Sequence, residues 1–196
     1  MIPSLCEQQQ IASTLDEIDE LRQNQRKAIA LTRQMIPALF YEMFGNERDF
    51  PRVSLETSAE IFGGSTPARK NNEYWNGHIS WITPTDLKQH KTGINLNVSS
   101  KKQITEVGQK ESNLKILPPG TVLFSSRAKI GKVGITQVPV TTNQGFVNFV
   151  PKNNICSIFL AIALWMKRDE ISNLSKSTTF KEVSRKNIKK FKLLIP

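Results

Sequence analysis

The chain has 196 residues, with 27 Lys/Arg against 17 Asp/Glu, a formal net charge of +10 and a pI near 9.8. Its 38% apolar and 22% charged content excludes a disordered tail or a collagen-like repeat, and two cysteines, Cys6 and Cys156, exclude a disulfide scaffold and fit a cytoplasmic protein. The longest apolar run, residues 155–166, is shorter than the roughly 20 residues of a membrane span, so we expect no membrane partner.

The first predicted element is a helix of about 40 residues. Ser4 and Glu7 form a capping-box pattern, and no glycine follows until Gly45, a typical residue after a helix C-terminus. Apolar residues recur in alternating steps of four and three, which is the spacing of a coiled-coil seam, here with a polar middle. The positions that we assign to helix pairing are Ile11, Leu15, Ile18, Arg22, Gln25, Ile29, Thr32 and Ile36.

A helix of this length would span about 60 Å, which is too long for an ordinary core helix on a domain of this size. We therefore expect it to project and to pair with another helix. A second apolar line predicts more than one neighbour and consists of Leu21, Ala28, Leu31 and Met35. Pro37 lacks a backbone N–H and predicts a kink near Arg33.

Charge divides the chain unevenly. Residues 1–48 hold five Lys/Arg and seven Asp/Glu, whereas residues 49–196 hold 22 and 10, so the basic excess lies in the second part. A domain with this balance favours a polyanionic partner, most simply nucleic acid; a basic surface that maintains solubility is the alternative. We assign residues 1–48 to the long helix and residues 49–196 to a separate domain.

The second part predicts short strands and loops rich in Gly, Asn and Pro, after a linker at residues 46–51. The predicted strands are residues 79–83, 121–126, 133–138, 145–150 and 186–195, and the predicted helix is residues 155–174. The fold class is therefore α+β, a long N-terminal coiled-coil helix followed by a mixed α/β domain.

The sequence contains no P-loop, no Gly-x-Gly cofactor loop and no metal-ligand spacing, so we expect no catalytic residue and no metal site in this chain. Asp86 and Lys88 match the Asp/Glu-x-Lys half of a metal-dependent nuclease motif, without the Pro-Asp pair that precedes it in such nucleases. A magnesium-dependent DNA nuclease that uses them is one alternative function. A coiled-coil assembly protein without DNA binding is another.

Four segments, in order, resemble the specificity subunits of type I restriction–modification systems. The first, residues 2–11, is similar to the start of that family's conserved helical region. The others resemble its target recognition domain and are residues 63–67 (GGSTP) with 73–75 (EYW) and 81–87 (WITPTDL), residues 123–131 (LFSSRAKIG) and residues 142–146 (TNQGF).

This resemblance implies a non-catalytic subunit whose recognition domain reads one half of a bipartite site in double-stranded DNA. It implies methyltransferase subunits and restriction/translocase subunits as partners, which would carry S-adenosylmethionine, ATP and Mg. The family usually has two recognition domains and two antiparallel helices, whereas this chain has one of each. We therefore expect a homodimer, or pairing with a second half-subunit, through the long helix.

Candidate DNA contacts lie in two polar, basic loops and one lysine pair. Arg and Lys can bind guanine or phosphate, and Asn can bind adenine; the second loop also resembles the family's loop before its final strand. A solvated polar surface is the alternative for the first loop and for the lysine pair, whereas the second loop favours DNA contact. The predicted DNA-binding residues are Arg69, Lys70, Asn71, Asn72, Tyr74, Lys101, Lys102, Lys176, Ser177, Thr178, Thr179 and Lys181.

Residues of the shared motifs are expected to support the fold, because a motif common to the family should not read a variable DNA sequence. These supporting residues are Arg127, Asn143 and Gln144. Three aromatic residues are expected in the core and not as stacking platforms for bases, namely Trp81, Phe124 and Phe146.

Overall fold

The computed structural model describes residues 2–44, 50–88, 93–127, 129–152, 155–175 and 182–195. The chain divides into two compact units, unit 1 (Met1–Met43) and unit 2 (Phe44–Pro196). Gly45 and the predicted boundary after Arg48 lie outside the described residues. Within the described ranges, no helix is both long and apolar enough to cross a membrane.

Unit 1 is formed by one helix, α1 (Leu5–Phe44), which confirms the predicted long helix. Ser4 precedes it as the predicted capping residue: its N–H and its hydroxyl donate to the Glu7 carboxylate at 2.7 and 2.8 Å, and the Glu7 N–H donates to the Ser4 hydroxyl at 3.4 Å. The Ser4 hydroxyl and N–H lower the pKa of the Glu7 carboxyl from its ordinary value. The helix continues through Pro37 without interruption.

The apolar residues of α1 lie at its surface, and no residue of this fully described helix is buried. On the pairing line, Leu15 is 58% exposed, and on the second line Leu21 is 69% exposed. Two polar residues of the pairing line have partners within the helix, since Arg22 pairs with Asp19 at 3.4 Å and Thr32 donates to the carbonyl of Ala28 at 2.9 Å. Apolar surface of this kind contributes to stability only when a partner covers it.

Unit 2 is built from short strands with small helices between them. The described strands are β1 (Arg52–Ser54), β2 (Ala59–Gly63), β3 (Trp75–Ile82), β4 (Ile94–Asn95), β5 (Gln103–Ile104), β6 (Val122–Ser125), β7 (Val133–Ile135), β8 (Thr141–Thr142), β9 (Phe146–Pro151) and β10 (Lys192–Leu194). The described helices are α2 (Leu55–Ser58), α3 (Glu106–Glu111), α4 (Ser157–Met166), α5 (Arg168–Ser172) and α6 (Arg185–Lys190), with a 3₁₀ turn at Asn72–Tyr74.

These strands form three sheets. The largest has the order β2-β9-β6-β7-β4, in which only β4 and β7 run parallel. Phe149 in the middle of β9 lies opposite Ile61 of β2 and Val122 of β6. A second sheet has the order β5-β3-β8, and β1 pairs with β10. The mixture of parallel and antiparallel strands with interspersed helices confirms the α+β class.

The core lies on both faces of the largest sheet. Phe124 and Phe149 are fully buried, and α4, which contacts β6 and β7, contributes Leu160 and Leu164. Phe146, which is 2% exposed, belongs to a separate buried cluster with Ile82 and Leu123. Trp81 of β3 is 3% exposed. The prediction that Trp81, Phe124 and Phe146 belong to the core is therefore confirmed.

The predicted strand at residues 186–195 is wrong in its first half, because Lys186–Lys190 belong to α6 and only Lys192–Leu194 form a strand. Ser184 starts the helix by accepting a hydrogen bond from the Asn187 N–H at 3.2 Å. Ile188, which is fully buried, fixes the inner side of the helix. The predicted helix at residues 155–174 is divided at Lys167 into α4 and α5.

Candidate nucleic-acid interface

Arg69 and Lys70 are the two central residues of a tight turn. The N–H of Asn71 donates to the carbonyl of Ala68 at 3.1 Å and closes the turn. The indole N–H of Trp75 donates to the same carbonyl at 3.2 Å. The backbone of the turn is thus held from two sides, while both basic side chains are exposed.

The next predicted residues, Asn71, Asn72 and Tyr74, lie at the 3₁₀ turn. They differ in whether their side chains are available for hydrogen bonds to a ligand. The amide oxygen of Asn71 accepts a hydrogen bond from the Glu73 N–H at 3.1 Å, so it already acts as a cap. Asn72 is exposed and is the better placed of the two to present both amide groups to adenine, as base reading requires. Tyr74 is half-buried, and its carbonyl accepts from the Thr105 N–H at 3.1 Å.

Two tryptophans join the basic turn to the predicted lysine pair. The rings of Trp75 and Trp81 meet edge to face, with centroids 5.2 Å apart. The Lys102 ammonium lies 5.9 Å from the centroid of the Trp81 ring, and the Lys102 carbonyl accepts from the Trp81 N–H at 3.0 Å. Lys101, the neighbouring residue, is exposed. The structure therefore brings residues 69–72 and 101–102 to one place.

The segments that resemble family motifs also meet one another. We call this meeting point the loop junction; it consists of residues 63–66, 126–127, 142–145 and 182–183. The Ser65 N–H donates to the Thr142 carbonyl at 3.0 Å, and the Trp81 indole N–H donates to the Ser65 carbonyl at 3.0 Å. The Ser126 N–H donates to the Gly145 carbonyl at 2.8 Å. Backbone hydrogen bonds thus fix the relative position of three motifs.

Side chains of the shared motifs take part in the same junction. Gln144 accepts a hydrogen bond from the Thr66 hydroxyl, and the Asn143 amide oxygen accepts from the Gly145 N–H at 3.0 Å. Arg127 pairs with Glu182 at 2.8 Å. These contacts support the prediction that Arg127, Asn143 and Gln144 hold the loops in position.

The second predicted DNA-binding loop ends at this junction. Glu182 and Arg127 also form an isolated β-bridge, and the Val183 N–H donates to the Ser126 carbonyl at 3.1 Å. The residue that follows the loop is therefore fixed next to the 123–131 motif. The predicted residues Lys176, Ser177, Thr178, Thr179 and Lys181 lie outside the described residues.

Sequence reasoning missed Lys132 as a positioning residue. Its ammonium donates to the carbonyls of Pro84 and Leu87, at 2.9 and 3.1 Å, and so holds the 81–87 motif. The contact joins positions 48 residues apart. Sequence patterns within a short stretch of residues cannot indicate a contact between positions so far apart.

The nuclease alternative is not supported. The Asp86 carboxylate accepts hydrogen bonds from Thr83, from its N–H at 2.8 Å and its hydroxyl at 2.7 Å, so the carboxylate closes a local turn. Within the described ranges, no three His, Cys, Asp or Glu side chains are grouped so that they could hold a metal ion. Asp86 is therefore a structural residue of the 81–87 motif.

The described residues thus comprise a long helix with exposed apolar lines and a basic α+β domain with an exposed basic turn. Residues 48–196 match the family described as “Type I restriction modification DNA specificity domain”. The chain belongs to that family.

Individual relatives agree with this assignment. The chain is similar to the type I restriction enzyme MjaIX specificity subunit of Methanocaldococcus jannaschii, at 38% identity over 152 residues, which cover 76% of this chain and 34% of the relative. It is 30% identical to the EcoR124I/EcoR124II specificity subunit of Escherichia coli over 154 residues, 74% of this chain and 37% of that protein. The chain therefore spans about a third of the length of these curated relatives.

A solved structure shares the fold. The HsdS subunit from Thermoanaerobacter tengcongensis aligns with a TM-score of 0.59 at 17% identity and covers 100% of this chain and 47% of that one. The assignment of the fold class thus agrees with a structure whose sequence has diverged widely.

Proposed function

We propose that this chain is a specificity component of a type I restriction–modification system and that unit 2 reads half of a bipartite site in double-stranded DNA. The match of residues 48–196 to the specificity domain carries the proposal. The exposed turn at Arg69 and Lys70, held by Trp75, supports it, because a rigid basic turn loses little conformational freedom on binding DNA.

The proposed interface makes two kinds of contact with DNA, one to base edges and one to phosphates. Arg69, Lys70 and Asn72 reach base edges, since these side chains match the donor and acceptor patterns of guanine and adenine. Lys101 and Lys102 bind phosphates and position the domain without reading sequence. The loop junction keeps both sets in place, because it joins motifs that are distant in the sequence.

The chain itself carries out no chemical step in this function. A methyltransferase subunit, with its S-adenosylmethionine, and a restriction/translocase subunit, with ATP and Mg, act on the DNA that this chain selects, in the cytoplasm. The exposed apolar lines of α1 provide surfaces for a second copy or half-subunit and for these partners. A coiled-coil assembly protein without DNA binding would leave the exposed basic turn unused.

The test is to co-express the chain with a cognate methyltransferase subunit and to map methylated adenine by single-molecule sequencing. We expect a symmetric bipartite motif, because two copies of one recognition domain read two identical half-sites. An asymmetric motif would show that a different half-subunit completes the site. Absence of methylation, although the methyltransferase subunit is soluble and bound, would contradict the proposal.

A matched pair of variants makes the test specific to the turn. Arg69→Ala with Lys70→Ala should weaken or change the motif, because it removes the two exposed cations. Lys88→Ala with Lys110→Ala removes the same charge from exposed positions outside the predicted contacts and should leave the motif unchanged.

A further inference from the structure

Helix α6 presents a second basic surface that the predicted recognition loops do not include. Its six residues contain four basic side chains and no acidic one. We call the surface formed by Arg185, Lys186, Lys189 and Lys190 the α6 basic face. At about 100° per residue, these four positions fall within an arc of about 140° around the helix. They therefore lie on one side.

The opposite side of α6 faces the interior of unit 2. Ile188 is fully buried, and the side-chain amide of Asn187 donates to the Leu174 carbonyl at 3.3 Å. The basic side is consequently turned to solvent, with Arg185, Lys186 and Lys190 exposed and Lys189 half-buried.

Little negative charge offsets this surface. Among the described residues, no ion pair joins any of its four cations to a carboxylate. Glu56 and Glu60 line a cleft of about 280 Å³ with Lys189, but Lys115 lies 3.8 Å from Glu60. Lys152 adds another cation at the same cleft.

The α6 basic face adjoins the loop junction. A guanidinium nitrogen of Arg185 lies 3.1 Å from the position that a Cβ on Gly63 would occupy. Gly63 begins the segment that is bonded to Thr142 and Gln144, and Glu182, three residues before Arg185, is paired with Arg127. The α6 basic face therefore lies next to the junction at which the second predicted DNA-binding loop ends.

We propose that the α6 basic face binds the phosphate backbone of double-stranded DNA, as a sequence-independent contact in addition to the recognition loops. The inference rests on the proposed function, since it adds a contact to the same ligand. Four cations on one side of a short helix, none of them in an ion pair with a described carboxylate, neutralise phosphates and release counterions. Such a contact strengthens binding to every sequence alike and carries no base preference.

The test uses the full chain with Lys186→Gln, Lys189→Gln and Lys190→Gln together. Binding to a duplex without a recognition site is measured by fluorescence anisotropy over a range of salt concentrations. Each phosphate contact contributes about 0.9 to the slope of log K against log salt. We expect the slope to become shallower by about 2–3 and the affinity in 0.1 M salt to fall at least about tenfold, with the ratio of cognate to non-cognate affinity unchanged.

The control variant removes the same charge elsewhere. Lys27, Lys88 and Lys110 are exposed and lie outside all predicted contacts, so Gln at these positions should change the slope by less than about 1. Equal slopes for the two triple variants would overturn the inference and leave DNA recognition intact. Failure of the unaltered chain to bind any DNA would instead contradict the proposed function.

A second measurement avoids substitution altogether. Lysine acylation of the unaltered chain, read by mass spectrometry, should show Lys186, Lys189 and Lys190 protected by DNA, with Lys88 and Lys110 reacting as before. Protection of the α6 lysines by a methyltransferase subunit and not by DNA would overturn the inference and identify a protein interface.

Discussion

Two neighbouring glycines at the loop junction differ sharply in the space around them. A Cβ on Gly64 would lie 2.1 Å from the Asn143 carbonyl oxygen and 2.3 Å from that of Thr142, and backbone atoms cannot move aside cheaply. A Cβ on Gly63 would meet only the end of the Arg185 side chain, at 3.1 Å. The glycine at position 64 is thus required by a close approach of two chain segments.

Gly64→Ala should lower the free energy of unfolding of unit 2 by about 3 kcal/mol, the upper end of the usual cost of overpacking. The melting temperature should fall by about 6 °C or more. Gly63→Ala is the control and should change it by less than about 2 °C, because a long side chain can move. Equal melting temperatures for the two variants would show that residues 64 and 142–143 are not in close contact.

At the scale of the elements, local patterns predicted the helices and strands whose residue pattern lies within one short stretch of sequence. The capping box at Ser4 and the apolar spacing predicted a helix that agrees with the observed Leu5–Phe44, and the strands predicted at residues 121–126 and 145–150 coincide with β6 and β9. The single strand predicted at residues 186–195 is wrong in its first half, because the Ser184 hydroxyl caps α6 and only Lys192–Leu194 pair with β1.

The candidate site was predictable only in part, because some of its contacts join residues that are far apart in the sequence. Composition and motif order indicated the turn at Arg69 and Lys70. The contact between Thr66 and Gln144 joins positions 78 residues apart, and no local pattern contains it. The long-range pairing of loops is set by the sheet order β2-β9-β6, which a single sequence does not specify.

The N-terminus of α6 provides a test at this scale. Ser184→Ala removes the acceptor for the Asn187 N–H and should lower the free energy of unfolding by about 1 kcal/mol. That loss corresponds to a melting temperature lower by about 2–4 °C. Ser184→Asp retains a capping oxygen and should keep the original stability. Equal losses in both variants would mean that the hydroxyl does not act as a cap.

At the scale of the whole molecule, the two units differ in how far each buries its own apolar side chains. Unit 2 buries its own core, with Phe124 and Phe149 fully enclosed. Unit 1 exposes two apolar lines on one helix, and burying a Leu or Ile side chain completely is worth about 1.5–3 kcal/mol. A helix with this surface is stabilised by association, and the polar residues Arg22 and Gln25 in the pairing line favour one register.

We expect the chain alone to form a dimer, with twice the 22.2 kDa mass of one chain, in light scattering at tens of micromolar concentration. Leu15→Ser with Ile18→Ser should shift it to monomer, because these residues belong to the pairing line and are 58% and 40% exposed in the single chain. Leu21→Ser with Leu31→Ser changes the second line, where the residues are 69% and 63% exposed, and should leave the dimer intact.

Comparing these two double variants shows which apolar line of α1 is used for self-association. A dimer that survives the Leu15 and Ile18 changes but not those at Leu21 and Leu31 would assign the second line to self-association and leave the first for another subunit. A monomer from the unaltered chain would contradict homodimerisation. A bipartite site would then require a second recognition domain other than a copy of this one, since one recognition domain presents one set of base contacts and can read only one half-site.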